Sequence, residues 1–154
     1  MLNSSLSYVI IRSFPESIFL ILSGYILFNL NINFKNIIKN SLIFLVILTC
    51  IRMLPISFGI HTILSMFVIG MIFYKFENQQ IIPTIINVSK IYICIAISEG
   101  IYMTIADKIL KIPTQTLTNN TSINSAILSL PSLLIFILLI IGLNLITKKI
   151  SENI

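Results

Sequence analysis

The chain has 154 residues, 56% hydrophobic and 10% charged, and its mean hydropathy of +1.03 excludes a water-soluble domain, which could not bury so much apolar surface. At roughly 17 to 25 residues per membrane crossing, this length holds four to six crossings and excludes a soluble catalytic domain beside them. The net charge of +5, ten Lys and Arg against five Asp and Glu, comes without a basic run interleaved with aromatics, so nucleic acid is excluded as a partner and the basic residues read as an orientation signal.

Residues 2–11 are moderately apolar and end at Arg12; they either form a short interfacial helix or lengthen the crossing that follows. No basic region precedes them and Arg12 interrupts the apolar stretch, so a cleavable signal peptide is not expected. Phe14, Pro15 and Glu16 have a helix-start pattern, with Pro near the first helical position and an acid in the first turn, and open a first crossing over about 15–30. A polar stretch over 29–40 with Lys35 and Lys39 leads to a second crossing over about 37–54. Pro55, Ser57 and Gly59 make a tight turn into a third, over about 60–73, which is short and closes on the interfacial group Tyr74, Lys75, Phe76 and Glu77. The fourth crossing covers about 81–105, with Pro83 near its start and Asp107 and Lys108 at its end. A polar segment to Asn124, carrying Pro113, Asn119 and Asn120, is the longest loop. The fifth crossing, about 126–146, has Pro131 near its start and Lys148 and Lys149 beyond its end, and reads as a plain membrane anchor.

Counting basic residues at the ends favours the N-terminus outside and the C-terminus in the cytoplasm, with Lys35, Lys39, Lys75, Lys148 and Lys149 inside against Arg12, Arg52, Lys108 and Lys111 outside. The bias is five to four, but Lys108 and Arg12 stand near the acids Asp107 and Glu16. No internal repeat is convincing, although FPESIF and ISEGIY look alike. Cys50 and Cys94 each lie inside an apolar run and are expected to pack as small hydrophobes. No Cys pair, Cys/His cluster or HExxH signals a redox or metal site, and no cofactor is expected. The abundance of Ile, Asn and Lys hints at an AT-rich bacterial genome.

Ionisable groups within a membrane cost roughly 2.5 to 3.5 kcal/mol each on insertion scales, so each requires a partner, a wet cavity or a route to the interface. With the orientation above, Glu16 opens the first helix, Arg52 closes the second, His61 opens the third and Glu99 lies in the outer half of the fourth. All four share one level, where two acids, an Arg and a His can form a shallow polar pocket open to the outside, suited to a small ligand or peptide. The alternative is that each simply reaches the headgroups. Ala96 and Gly100 form a small-xxx-small face beside Glu99 that favours Glu99 facing protein, and Tyr92 and Tyr102 fall near its side as hydrogen-bond donors. Arg52 lacks a nearby acid in sequence, so an Arg52 to Glu99 contact is expected, with His61 or Glu16 close behind.

The stretch IRMLPISFGIHT, with the early PES and the later SEG, resembles the N-terminal multi-helix membrane domains of sensor histidine kinases from clostridia and their relatives. That pattern is an early Pro-Glu, a central Arg-x-x-Pro-x-x-x-Gly-x-His turn and a Glu in the fourth helix, met here by Pro15 and Glu16, by Arg52, Pro55, Gly59 and His61, and by Glu99. The likeness covers about two-thirds of the chain. The sequence stops at Ile154 without a phosphoacceptor or ATP-binding domain, so the resemblance implies a stand-alone or truncated sensory module that is no kinase itself. A weaker similarity, to membrane peptidases that process cyclic signal peptides, extends to Gly59 and His61 only: Val68 stands where a nucleophilic Cys would be, and Cys50 precedes the His.

These features lead to an all-α fold, a single integral membrane bundle of about five transmembrane helices over residues 1–154. The expected function is a non-enzymatic sensory or ligand-binding module of the plasma membrane with Glu16, Arg52, His61 and Glu99 in its pocket. A small carrier is the alternative and a signal-peptide peptidase the third. Expected partners are the lipid bilayer and a membrane or cytoplasmic signalling protein, with a second copy of the chain a further candidate.

Overall fold

A computed structural model describes residues 9–53, 58–112 and 123–152, and every regular element among them is helical. The Pro55 turn and the loop carrying Pro113, Asn119 and Asn120 fall outside the described residues.

A π-helical turn, Val9–Ser13, runs directly into α1, Phe14–Leu27, so the described part of the segment before Pro15 continues the helix toward the N-terminus. Pro15 and Glu16 occupy the first turn of α1, immediately after the π-helical turn. Then come α2, Phe34–Met53, α3, Phe58–Phe76, and α4, Ile81–Lys108. Gly59, expected in the turn, lies inside the first turn of α3, and α3 has 19 residues, so the third crossing is not short. The last crossing is broken into α5, Ile123–Ser129, and α6, Pro131–Glu152, because Pro131 cannot continue the hydrogen-bond ladder.

Three helices stop by one device. Asn29, Asn78 and Lys111 adopt left-handed backbone (φ 53, 51 and 53°), and the following N–H groups of Leu30, Gln79 and Ile112 return to the carbonyls of Tyr25, Phe73 and Ala106. The carbonyls at these helix ends thus find donors within the chain, as backbone near hydrocarbon requires.

α1 is the hub of the bundle, in contact with α2, α4 and α6, while α3 packs between α2 and α4. The core joins Leu20, Ile21 and Tyr25 of α1, Phe44 of α2, Ile69 and Phe73 of α3, Ile91 of α4, and Phe136 and Ile140 of α6. α6 therefore supplies core residues and is no plain anchor. At Gly24 the ring of Phe73 comes so close that a Cβ built there would lie 2.1 Å from Phe73 Cζ, and Phe73 also meets Tyr25 edge-on and stacks on Phe28.

The outside of the bundle is as apolar as its inside. Val46, Ile63, Phe67, Ile82, Leu134 and Leu138 all stand exposed along the helices, where a soluble bundle would place charge. Four segments, Phe34–Ile51, Gly59–Phe76, Ile81–Lys108 and Ile123–Lys149, are long and apolar enough to cross a membrane. The chain is a multi-pass membrane protein with an all-α bundle. Cys94 is buried in its core as expected, but Cys50 is exposed on α2.

Candidate functional site

The π-helical turn places Arg12 at the start of the hub helix, pointing into the bundle. Its guanidinium is the centre of the site. Nη2 donates to Glu99 Oε1 of α4 at 2.9 Å, Nε stands 3.8 Å from Glu16 Oε2 one turn along α1, and Nη1 donates to the Ser129 carbonyl at 2.8 Å and to Ser132 Oγ at 3.2 Å. One planar cation thus ties together α1, α4 and the α5–α6 break, using the fork of donors that distinguishes Arg from Lys.

The break explains why the Ser129 carbonyl is available. In an unbroken helix it would accept from the N–H of Leu133, four residues on, but after Pro131 the Leu133 N–H turns to Leu130 O at 3.0 Å. Ser129 O then takes its bonds from Arg12 and from the Ser132 hydroxyl at 2.8 Å. A proline that interrupts the last crossing has therefore created an acceptor for a buried cation.

The side chains differ in access. Arg12 is 5% exposed, Glu16 14% and Glu99 43%. With all three ionised, the group carries a net charge of −1, and the part of it that an incoming molecule meets is the Glu99 carboxylate. Around Glu99 the structure departs from expectation. Ala96 and Gly100 are exposed, and a Cβ at Gly100 would meet nothing within 4 Å, so among the described residues this small-residue face is open and no helix packs on it. Tyr92 donates to Ser65 Oγ at 2.8 Å and Tyr102 to the Leu128 carbonyl.

Of the four residues singled out in the sequence, Glu16 and Glu99 meet, through Arg12. The side chain of Arg52 lies outside the described residues, as does the expected Arg52 to Glu99 contact; the cation found on Glu99 Oε1 is Arg12. His61 is half-buried on α3, and its Nδ1 is buried without a hydrogen-bond partner. Arg12 is the residue that sequence reasoning missed. Its spacing of four from Glu16, on a segment that continues the helix, was the available signal.

A second polar network lies at the other end of the bundle. Asn40 Nδ2 donates to Glu77 Oε1 at 2.8 Å and to Tyr25 Oη at 3.3 Å, and the Tyr25 hydroxyl donates to the same carboxylate oxygen. Tyr25 and Asn40 are both buried. Polar groups are therefore not concentrated at one level, and α1 carries one network at each end, Arg12 and Tyr25 being 13 residues or about 20 Å apart along the axis.

Comparisons of the chain with protein-family models, curated proteins and solved structures each find no match.

Proposed function

We propose that the chain is a non-enzymatic sensory module of the plasma membrane, N-terminus outside and C-terminus in the cytoplasm, whose Arg12–Glu16–Glu99 site takes a cationic ligand from the outer side. The observation that carries this reading is the half-exposed Glu99 carboxylate held on a buried guanidinium that a second carboxylate already shares. An ammonium or guanidinium group of a small ligand or peptide that engages Glu99 competes with Arg12 for it. Arg12 keeps Glu16 and the Ser129 carbonyl, so the tie between α1 and α4 loosens without leaving the guanidinium unpartnered. His61, at the start of α3, stands on the rim in this reading.

The signal leaves through α1. Its far end is pinned by Tyr25 to Asn40 and Glu77, so a shift of α1 at the Arg12 end bears on the cytoplasmic connections of α2 and α3. The likeness to kinase-linked sensor domains supports this direction of signalling, toward a membrane or cytoplasmic partner. The test is binding of labelled tetrapeptides to the full chain in nanodiscs. Peptides bearing free amines should bind, acetylated and acidic counterparts should not, and Glu99→Gln should weaken binding at least tenfold while Glu99→Asp keeps most of it. Equal binding of acidic and basic peptides would sink the proposal.

A carrier is the second reading, favoured by the network at the opposite end, which gives a solute polar stations on both sides. Counterflow of a labelled cation in proteoliposomes, abolished by Glu99→Gln, would put the carrier first.

A further inference from the structure

At the end of the bundle away from Arg12, the close of α3 forms an open cleft of about 340 Å³ lined by Tyr74, Lys75, Asn78 and Gln79. Glu77, an acid in the middle of this strip, is outnumbered by the lysines around it, Lys75, Lys39 and Lys35. Its carboxylate is turned to the buried Tyr25 hydroxyl and Asn40 amide, while Tyr74, Lys75 and Asn78 stand exposed. The cleft thus presents an ammonium, a phenol and a primary amide. A second ammonium is adjacent, since Lys39 Nζ lies 5.9 Å from the centroid of the Phe76 ring, and Lys35 is exposed one turn before it on α2.

We propose that this cleft binds the phosphate of an anionic phospholipid in the leaflet at the Glu77 end. The donor set suits a phosphate monoanion, whose oxygens accept from Lys75 and from the Asn78 amide. What selects a lipid over a free phosphate is the wall that continues from the cleft into the membrane. Phe67 and Met71 of α3, with Ile38 and Leu42 of α2, are exposed and apolar along the depth that acyl chains occupy, and the exposed rings of Tyr74 and Phe76 sit where aromatic residues meet headgroups. A soluble phosphate gains the polar contacts alone. The site stands independently of the sensory reading, since it uses no residue of the Arg12 group.

The test is thermal unfolding of the purified full chain in detergent, titrated with phosphatidylglycerol, phosphatidylcholine or glycerol phosphate. Phosphatidylglycerol should raise the midpoint, and the other two should not. Each lysine near an anionic surface is worth about fivefold in affinity, so Lys75→Gln should raise the half-saturating lipid concentration by that factor and Lys39→Gln with Lys75→Gln by about 25-fold. Lys75→Arg should retain most of the effect, and Lys108→Gln with Lys111→Gln, at the other end, should leave it unchanged. Equal stabilisation by phosphatidylcholine, or an equal loss in the Lys108 and Lys111 variant, would overturn the site. Equal stabilisation by glycerol phosphate would overturn the lipid as its occupant.

Discussion

Removing Arg12 should be the most damaging single change at the site, and the asymmetry between its partners makes the effect calculable. Arg12→Ala deletes a buried cation that bonds Glu99, Ser129 O and Ser132 and pairs with Glu16. It leaves two carboxylates close together and a carbonyl without its charged donor. Breaking a buried pair in this way costs about 3 to 5 kcal/mol. Glu99→Ala is milder, because Arg12 keeps its other acceptors and Glu99 is itself 43% exposed; losing one charged hydrogen bond there should cost about 1.5 to 3 kcal/mol. In the double variant Glu99 is no longer stranded, so its cost should fall short of the sum by about 1 to 2 kcal/mol. At roughly 2 to 4 °C per kcal/mol for a chain of this size, Arg12→Ala should lower the unfolding midpoint by about 10 °C. The assay is a double-mutant cycle on the four proteins in one detergent. Losses that add without remainder would mean that Arg12 and Glu99 do not hold each other, and the site built on them would fall.

Gly24→Ala should destabilise by about 1 to 3 kcal/mol, because the new methyl meets the buried ring of Phe73, and pairing it with Phe73→Leu should restore part of the loss in thermal unfolding. In the second network, Glu77→Ala leaves the Tyr25 hydroxyl and the Asn40 amide without their shared acceptor and should cost more than Tyr25→Phe, which removes one donor to Glu77 and the longer of the two Asn40 bonds; the latter should cost about 1 to 3 kcal/mol in the same measurement. Phe136→Ala should cost about 3 to 5 kcal/mol, whereas Leu138→Ala on the exposed side of the same helix should cost under about 1 kcal/mol; similar losses from both would contradict the packing of α6 in the core.

The helices were legible because uninterrupted apolar runs of crossing length have one solution in a bilayer. Boundaries were legible where chemistry marks them, as at Pro15 and Lys108. Asn29 and Asn78 end helices by taking a positive φ that their short side chains tolerate, which a single sequence does not announce. Apolarity alone also could not tell which faces are buried, since lipid-facing and core-facing positions share the same residues. That is why α6 read as an anchor and the Ala96–Gly100 face as packed. Glu16 and Glu99 were legible from the cost of intramembrane charge, but their cation was sought at Arg52. In sequence Arg12 has a ready partner in its neighbour Glu16, and only the packing of α1 against α4 and α6 shows one guanidinium serving both acids. Tyr25, Asn40 and Glu77 come from three separate elements and left no pattern in the chain.

The account rests on α1 joining the two networks, and hydrogen exchange of the full chain in nanodiscs tests that link most directly. Glu99→Ala frees α4 from Arg12 much as a competing cation would. Residues 28–33 and 77–80, which lie beyond the reach of any Glu99 contact and border the Tyr25 network, should then exchange faster than in the native chain, together with the segments around Arg12 and Ser129. Faster exchange confined to the Arg12 end, with 28–33 and 77–80 unchanged, would show that α1 does not carry the change across the membrane.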